Sequence, residues 1–433
     1  MSVVKSAMHN TNNETDLGFI ATKLSTQFHY SKSLIYHWLS SLGIEETITL
    51  LQKLHEPYEN LWVQVDINRT DVDSVVEILE EMELSVHKHP NFSDILLVPV
   101  EKRSLNLKED LPAIIVDREA ATNIALGKDV NTSSIIGFDT FKARENVKII
   151  DRVGTLLAIA VAEVASNEIN QLPQRVVARV TSSIARVPPL TELSLYRQGY
   201  ITVLTPIQVI GIKSMYISKQ DSILVMSIDK GEVATSIAQL TKHEVPITVV
   251  AQNQSHAKAI RKQIKRVKSK AIRVILSPFY SFLLDLHDIR YSSVFIELPN
   301  SRTAVMPTFN SNLTHARLKS MIKNQKRVID SLYKALISKA SITYITHSLD
   351  VLENELFFNQ IIAKNYYESQ AFPQELRLLQ KQGQLTIREK IVANGSRNLF
   401  EEKIATAFLD PRAINNTGGY IIKFRYSPKL SPK

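Results

Sequence analysis

Two short polar stretches carry the residue types that could do chemistry. Pro299, Asn300 and Ser301 follow an apolar run ending in Glu297 and Leu298, and Thr346, His347 and Ser348 follow a second run. His347 offers an imidazole, the side chain that most readily takes or gives a proton near neutral pH. Glu297 offers a carboxylate. Asn300 is not a nucleophile, but its amide can hydrogen-bond. There is no cysteine in the 433 residues, which excludes a thiolate nucleophile, disulfides and a zinc ribbon. Eleven histidines are present, yet no His-x-x-x-His pair with a carboxylate stands out, so no metal site is expected.

The elements around these stretches must place them together. Residues 291–297 and 342–346 read as strands. The residues between 313 and 340 show Leu318, Met321, Ile322, Val328, Leu332, Leu336 and Ile337 at roughly helical spacing. Strand, crossover helix and strand make a βαβ unit, and such sheets hold ligands in the loops at the carboxyl ends of the strands.

These two loops resemble the active-site loops of Sun-type RNA 5-methylcytosine methyltransferases. There the first loop reads Asp-Ala-Pro-Cys-Ser, and the second reads Tyr-x-Thr-Cys-Ser-Leu followed by Glu-Asn-Glu. This chain keeps Pro299, Ser301, Tyr344, Thr346, Ser348, Leu349 and the run Glu353, Asn354, Glu355. It departs at both cysteines, with Asn300 in the first loop and His347 in the second; Glu297 corresponds to the family's acidic residue. Methylating carbon 5 of a pyrimidine needs a nucleophile that adds to carbon 6 and later leaves, which suits a thiolate and suits neither replacement.

The resemblance also implies a place for S-adenosylmethionine. The family's Asp-x-Cys-Ala-Ala-Pro-Gly-Gly-Lys-Thr segment corresponds to Val225 through Ala234, in which Gly231 alone is kept. Ile228 and Glu232 would crowd or repel the methionine carboxylate. The acid that would accept the ribose hydroxyls corresponds to Asn253, or to Gln252 if the register slips by one. With Val225, Gly231 and Asn253 at the key positions, no cofactor binding is expected.

The remaining chain supplies context. Apolar content is 44 % and the net charge is +9, a balance that suits a polyanion partner. No apolar run approaches a membrane span and no signal peptide is evident, so a cytoplasmic protein without membrane or DNA partners is expected. Residues 1–30 read as a mobile tail. Residues 31–105 read as two helices plus a β-α-β-β half of an RRM-like fold, and 110–185 resemble a PUA domain, a small RNA-binding β-barrel. Residues 186–220 read as the RRM-like return and linker, and 221–433 as the Rossmann-like methyltransferase-related domain. The PUA resemblance implies RNA contacts at Gly127 and Lys128. A run of Lys258, Arg261, Lys262, Lys265, Arg266 and Lys268 on one helix, without interleaved acids, suits phosphates.

The fold class expected is therefore α/β, with an inserted PUA barrel. The leading expectation is an inactive RNA-binding platform on tRNA or rRNA, with the ribosome as a candidate partner and an archaeal source implied by analogy. Two alternatives stand beside it. One is a divergent S-adenosylmethionine-dependent RNA methyltransferase with Glu297, Asn300 and His347 in its pocket and an amine or hydroxyl as target. The other is a protein scaffold for an active paralogue.

Overall fold

The computed structural model describes residues 14–105, 110–171, 175–285, 289–309, 313–362, 366–392 and 402–428. These fall into two compact units. One contains the segments up to residue 59, 100–187 and 305–317; the other contains 60–99, 188–304 and 318 onward.

In the first unit, α1 (Glu14–Phe28), α2 (Lys32–Leu42) and α3 (Ile44–His55) pack through Ala21, Leu24, Ile35, Trp38 and Leu51. Ser31 caps α2 by accepting from the Leu34 amide. Residues 14–28, expected as mobile tail, are thus a helix, because Ile20, Ala21 and Leu24 form an apolar stripe that the neighbouring helices cover. Residues 1–13 of that expected tail lie outside the described residues.

The second unit begins with β1 (Asn60–Val65), α4 (Val72–Glu81), β2 (His87–Lys88) and β3 (Ile95–Pro99). The expected subdomain of 31–105 is therefore divided, with α2 and α3 in one unit and β1, α4, β2 and β3 in the other.

The first unit continues with a barrel-like sheet: β4 (Ala113–Val116), α5 (Arg118–Ala125), β5 (Val130–Asn131), β6 (Ile135–Phe138), β7 (Asn146–Ile150), β8 (Leu156–Ala162) and β9 (Val176–Ser183). The strand order is β5-β9-β8-β7-β4-β6. Asp117 caps α5 from its Oδ1 to the Ala120 amide, 2.9 Å. Inward residues of the strands, among them Ile114, Val147, Leu157, Ala160 and Val177, close the core. Gly127 ends the helix with φ 96°, a left-handed conformation that favours glycine.

The second unit then resumes with β10 (Ile201–Leu204), which pairs antiparallel with β1 and completes a sheet of order β10-β1-β3-β2. Residues 186–220, expected as the RRM-like return and linker, thus contain this strand and α6 (Pro206–Lys213). Helix α6 opens with a capping box between Thr205 and Gln208.

The large sheet follows: β11 (Ile223–Ser227), α7 (Glu232–Leu240), β12 (Ile247–Ala251), α8 (Gln254–Val267), β13 (Ile272–Leu276), α9 (Phe279–Leu284), β14 (Tyr291–Glu297), α10 (His315–Leu332), β15 (Leu336–Thr346), α11 (Glu355–Ile362), β16 (Tyr367–Ser369), α12 (Gln374–Lys381), β17 (Thr386–Val392), β18 (Glu402–Leu409) and β19 (Gly419–Tyr426). Its order is β13-β12-β11-β14-β15-β19-β18-β17, with β16 beside β19. The first five strands are parallel, and β19 runs antiparallel to β15. Alternate residues feed two cores: Ile223, Val225, Phe295 and Ile345 pack on one face, and Leu224, Met226, Val294, Ile296 and Tyr344 on the other. That is why these strands read as continuous apolar runs. The crossover helix is shorter than its periodicity suggested. A 3-10 turn at Tyr333–Ala335 ends it, and Leu336 and Ile337 belong to β15.

Candidate active site

Strands β14 and β15 are neighbours in parallel register, Ile296 opposite Tyr344, so the residues following them emerge side by side. Glu297 and His347 meet there. Nε2 of His347 lies 3.2 Å from Oε1 of Glu297, and both side chains are buried, at 4 % exposure each. The other carboxylate oxygen accepts from Ser227 Oγ at 2.8 Å and Gln208 Nε2 at 3.1 Å. Burial pushes the Glu297 carboxyl up. The hydrogen bond from His347, with the Gln208 and Ser227 donors, outweighs it and holds the group below its ordinary range. Glu297 is thus a buried anion with three donors, and it orients the His347 ring. The opposite ring nitrogen, Nδ1, is buried and has no hydrogen-bond partner among the described residues.

Asn300 is not part of this couple. Its Nδ2 donates to the Leu298 carbonyl at 2.9 Å, and its Oδ1 accepts from the Arg302 amide at 3.0 Å. It shapes the loop, so the expectation that it lines the pocket beside Glu297 and His347 is replaced by a conformational role.

The loops themselves are held by the retained motif residues. Both oxygens of Glu353 accept from the Ser301 amide at 3.1 Å, and Gln325 Nε2 joins Glu353 to the Pro299 carbonyl at 3.0 and 2.9 Å. Ser301 Oγ donates to Ser348 Oγ at 2.8 Å, and Thr303 Oγ1 accepts from the Leu349 amide at 2.8 Å. Asn354 spans Thr346 Oγ1 and the carbonyls of Ser348 and Asp350.

At the ends of β12, β13 and β14 lies a cavity of about 210 Å3. Its lining includes Gln252, Pro278, Phe279, Tyr280, Leu298 and Pro299. It combines apolar and ring surfaces with the amides of Gln252, Asn324 and Gln325, the chemistry that a nucleoside requires: faces for a planar base and polar groups for hydroxyls. Arg327 lies over the Tyr280 ring at 4.2 Å and also lines the cavity. The residues present thus fit the adenosine half of S-adenosylmethionine.

The positions singled out for the cofactor from sequence do other work. Val225 is wholly buried in the core. Gly231 starts α7 at φ 106°, where a Cβ would stand 3.1 Å from Ile260 Cα, so it is kept for close packing of α7 on α8. Asn253 caps α8, accepting from the His256 amide at 2.9 Å, and Gln252, one residue earlier, faces the cavity. His256 was missed. Its Nδ1 accepts from the Gln252 amide at 3.2 Å and its Nε2 lies 2.6 Å from the Asp229 carbonyl, tying together the loops after β11 and β12. Asp229 was missed too. Burial, then repulsion from Glu232 and Glu297, pushes its carboxyl up to about 8, so the proton stays on Asp229 while Glu297 carries the charge. Asp229 follows strand β11 by two residues, a position that could have flagged it.

Among the RNA candidates, Lys258, Arg261, Lys262, Lys265 and Lys268 are exposed on or at the end of α8. Arg266 turns inward. Its guanidinium stacks 4.0 Å from the Tyr196 ring and donates to the carbonyls of Tyr196 and Ile201, so it is withdrawn as a phosphate contact. Lys128 extends its Nζ to Asn123 Oδ1 at 3.1 Å beside the Gly127 turn. No described helix is long and apolar enough to cross a membrane.

Comparison with known proteins corrects one expectation. Residues 214–400 match the family model "16S rRNA methyltransferase RsmB/F", and residues 112–184 match the PUA domain. A tRNA (cytosine(72)-C(5))-methyltransferase of Pyrococcus horikoshii is 22 % identical over 340 residues, covering 75 % of this chain and 84 % of that protein. The structure of NSun6 from Pyrococcus horikoshii with SFG superposes at TM-score 0.76, with 20 % identity, 93 % of this chain and all of that one. A methyltransferase homologue from the same organism gives 0.59 and 13 %, covering 94 % and 98 %. The expectation of a non-enzyme without a cofactor is overturned by these matches to methyltransferases, whose family depends on S-adenosylmethionine. Of the positions read for the cofactor, Val225, Gly231 and Asn253, none lines the cavity. Residues 214–400 are thus similar to the RsmB/F methyltransferase family, and residues 112–184 to a PUA domain.

Proposed function

We propose that this chain is an S-adenosylmethionine-dependent tRNA methyltransferase whose methyl acceptor is a nitrogen or oxygen of the RNA. The observation that carries this is the ring of His347, held by Glu297 through Nε2 and unpartnered at Nδ1. With the proton on Nε2 directed at the carboxylate, Nδ1 keeps a lone pair and serves as general base. S-adenosylmethionine, when bound, supplies a methyl group on a sulfonium. The residues of this chain do the rest. Gln252, Phe279 and Pro299 hold the adenosine part, Glu297 keeps the imidazole in one tautomer, and His347 takes the proton that the acceptor N–H or O–H loses as its bond to methyl forms. Carbon 5 of cytosine is a poor target, since the chain has no thiol to add to carbon 6.

tRNA as the substrate is favoured over rRNA by the tRNA-modifying relative, and the PUA domain, with Gly127 and Lys128, supplies further RNA contacts. The reading places the protein in the cytoplasm, with its substrate.

The test is methyl transfer from labelled S-adenosylmethionine to unmodified tRNA transcripts, followed by nuclease digestion and mass spectrometry of the nucleosides. A base- or ribose-methylated nucleoside bearing the label on nitrogen or oxygen is expected. 5-Methylcytosine as product overturns the acceptor assignment, and no label in any nucleoside overturns the whole reading.

A further inference from the structure

The large sheet ends on β13, which pairs with β12 alone among the described residues. Its outer edge presents backbone donors and acceptors that nothing in the described chain takes up. Exposed edges of this kind are templates for another strand unless they are covered. Beside the edge, α8 and β13 bound a groove of about 490 Å3, with Ile264, Ile272 and Val274 in its floor and Arg261, Lys265 and Lys268 on its rim. From residue 254 to residue 284 the sequence contains no Asp or Glu, and the described rim cations have no carboxylate within ion-pair distance.

We propose that this groove is the docking site of a second protein, which adds an extended strand with alternating apolar and acidic side chains to the edge of β13. The apolar residues would fill the floor, the acids would meet the rim, and backbone pairing would satisfy the open edge. A second copy of this chain is disfavoured, since it would bring the same cations against themselves. RNA would use the rim but neither the floor nor the strand edge. The inference is independent of the methyl-transfer chemistry.

The probe is a fluorescein-labelled peptide of four Glu-Val repeats, titrated into the full chain and followed by anisotropy. Saturable binding is expected, with amide exchange slowed at residues 272–276. The double variant Lys265→Glu, Lys268→Glu, on exposed positions, should weaken it by about tenfold or more at an unchanged melting temperature. The same peptide N-methylated on alternate residues should fail to bind. Absence of peptide binding, equal binding of the N-methylated peptide, or displacement of the peptide by an oligouridylate of the same charge each overturns the proposal.

Discussion

The loops after β14 and β15 and the loops after β11 and β12 sit at the same edge of one sheet, yet they have diverged in different ways. In the first pair a side-chain framework holds the loops, and Glu297 and His347 meet between them. Ser301, Thr303, Ser348, Glu353 and Asn354 bond mainly to loop backbone or to one another, so Asn300 and His347 could replace cysteines without disturbing the path of the chain. In the second pair the motif has been rewritten and the framework rebuilt. His256 ties the two loops together through backbone atoms, Asn253 has become a helix cap, and Gln252 faces the cavity. A loop held by side chains that grip backbone tolerates new chemistry, whereas a loop held by its glycines must find a new clasp once they are lost.

The largest expected effect breaks this comparison at its chemical end. His347→Ala should lower methyl transfer by about a hundredfold or more, with little change in cofactor affinity; single-turnover rates and calorimetry read the two separately. Equal rates for wild type and variant would remove His347 as the base. Next comes the framework. Glu353→Ala strands the Ser301 amide and Gln325 in the interior and should cost about 2–4 kcal/mol of stability, seen as a lower denaturation midpoint. A smaller effect sharpens the cofactor end. Gln252→Ala should weaken S-adenosylmethionine binding by about tenfold while Asn253→Ala acts on stability through the lost cap, roughly 1 kcal/mol. The reverse pattern would restore Asn253 as the ribose contact.

The smallest effect concerns protons. Asp229 holds its proton up to about 8 in the folded chain, whereas the unfolded chain releases it in the ordinary carboxylate range. Between those values the native state binds the extra proton, so stability contributed here declines as pH rises through that window. Asp229→Asn should remove that slope, its gain in melting temperature over the parent growing from about pH 5 to about pH 8. A gain that shrinks over that range would reverse the assignment of the proton to Asp229.

How far the chain could be read in advance follows from which bonds are local. The strand ends carrying Glu297 and His347 were legible because apolar runs and the polar residues after them are adjacent in sequence. The PUA segment was legible for the same reason. The inward turn of Arg266 was not, because its partners Tyr196 and Ile201 lie more than sixty positions away. Nor was the choice between Gln252 and Asn253, since a slip of one residue decides which becomes a cap and which meets the cavity. Leu336 and Ile337 fit a helical period equally well, and the 3-10 turn at Tyr333–Ala335 alone moves them into the sheet.

Gly419 takes φ 145°, and a Cβ there would stand 2.0 Å from the Thr346 carbonyl oxygen. Tyr420 then pairs with Thr346 across β19 and β15. The residue immediately before the proposed base is thus clamped by a strand that leaves the ribosome some seventy residues after it. In the proposed reading the imidazole gains its fixed seat only once that strand has been made, so methyl transfer waits on β19.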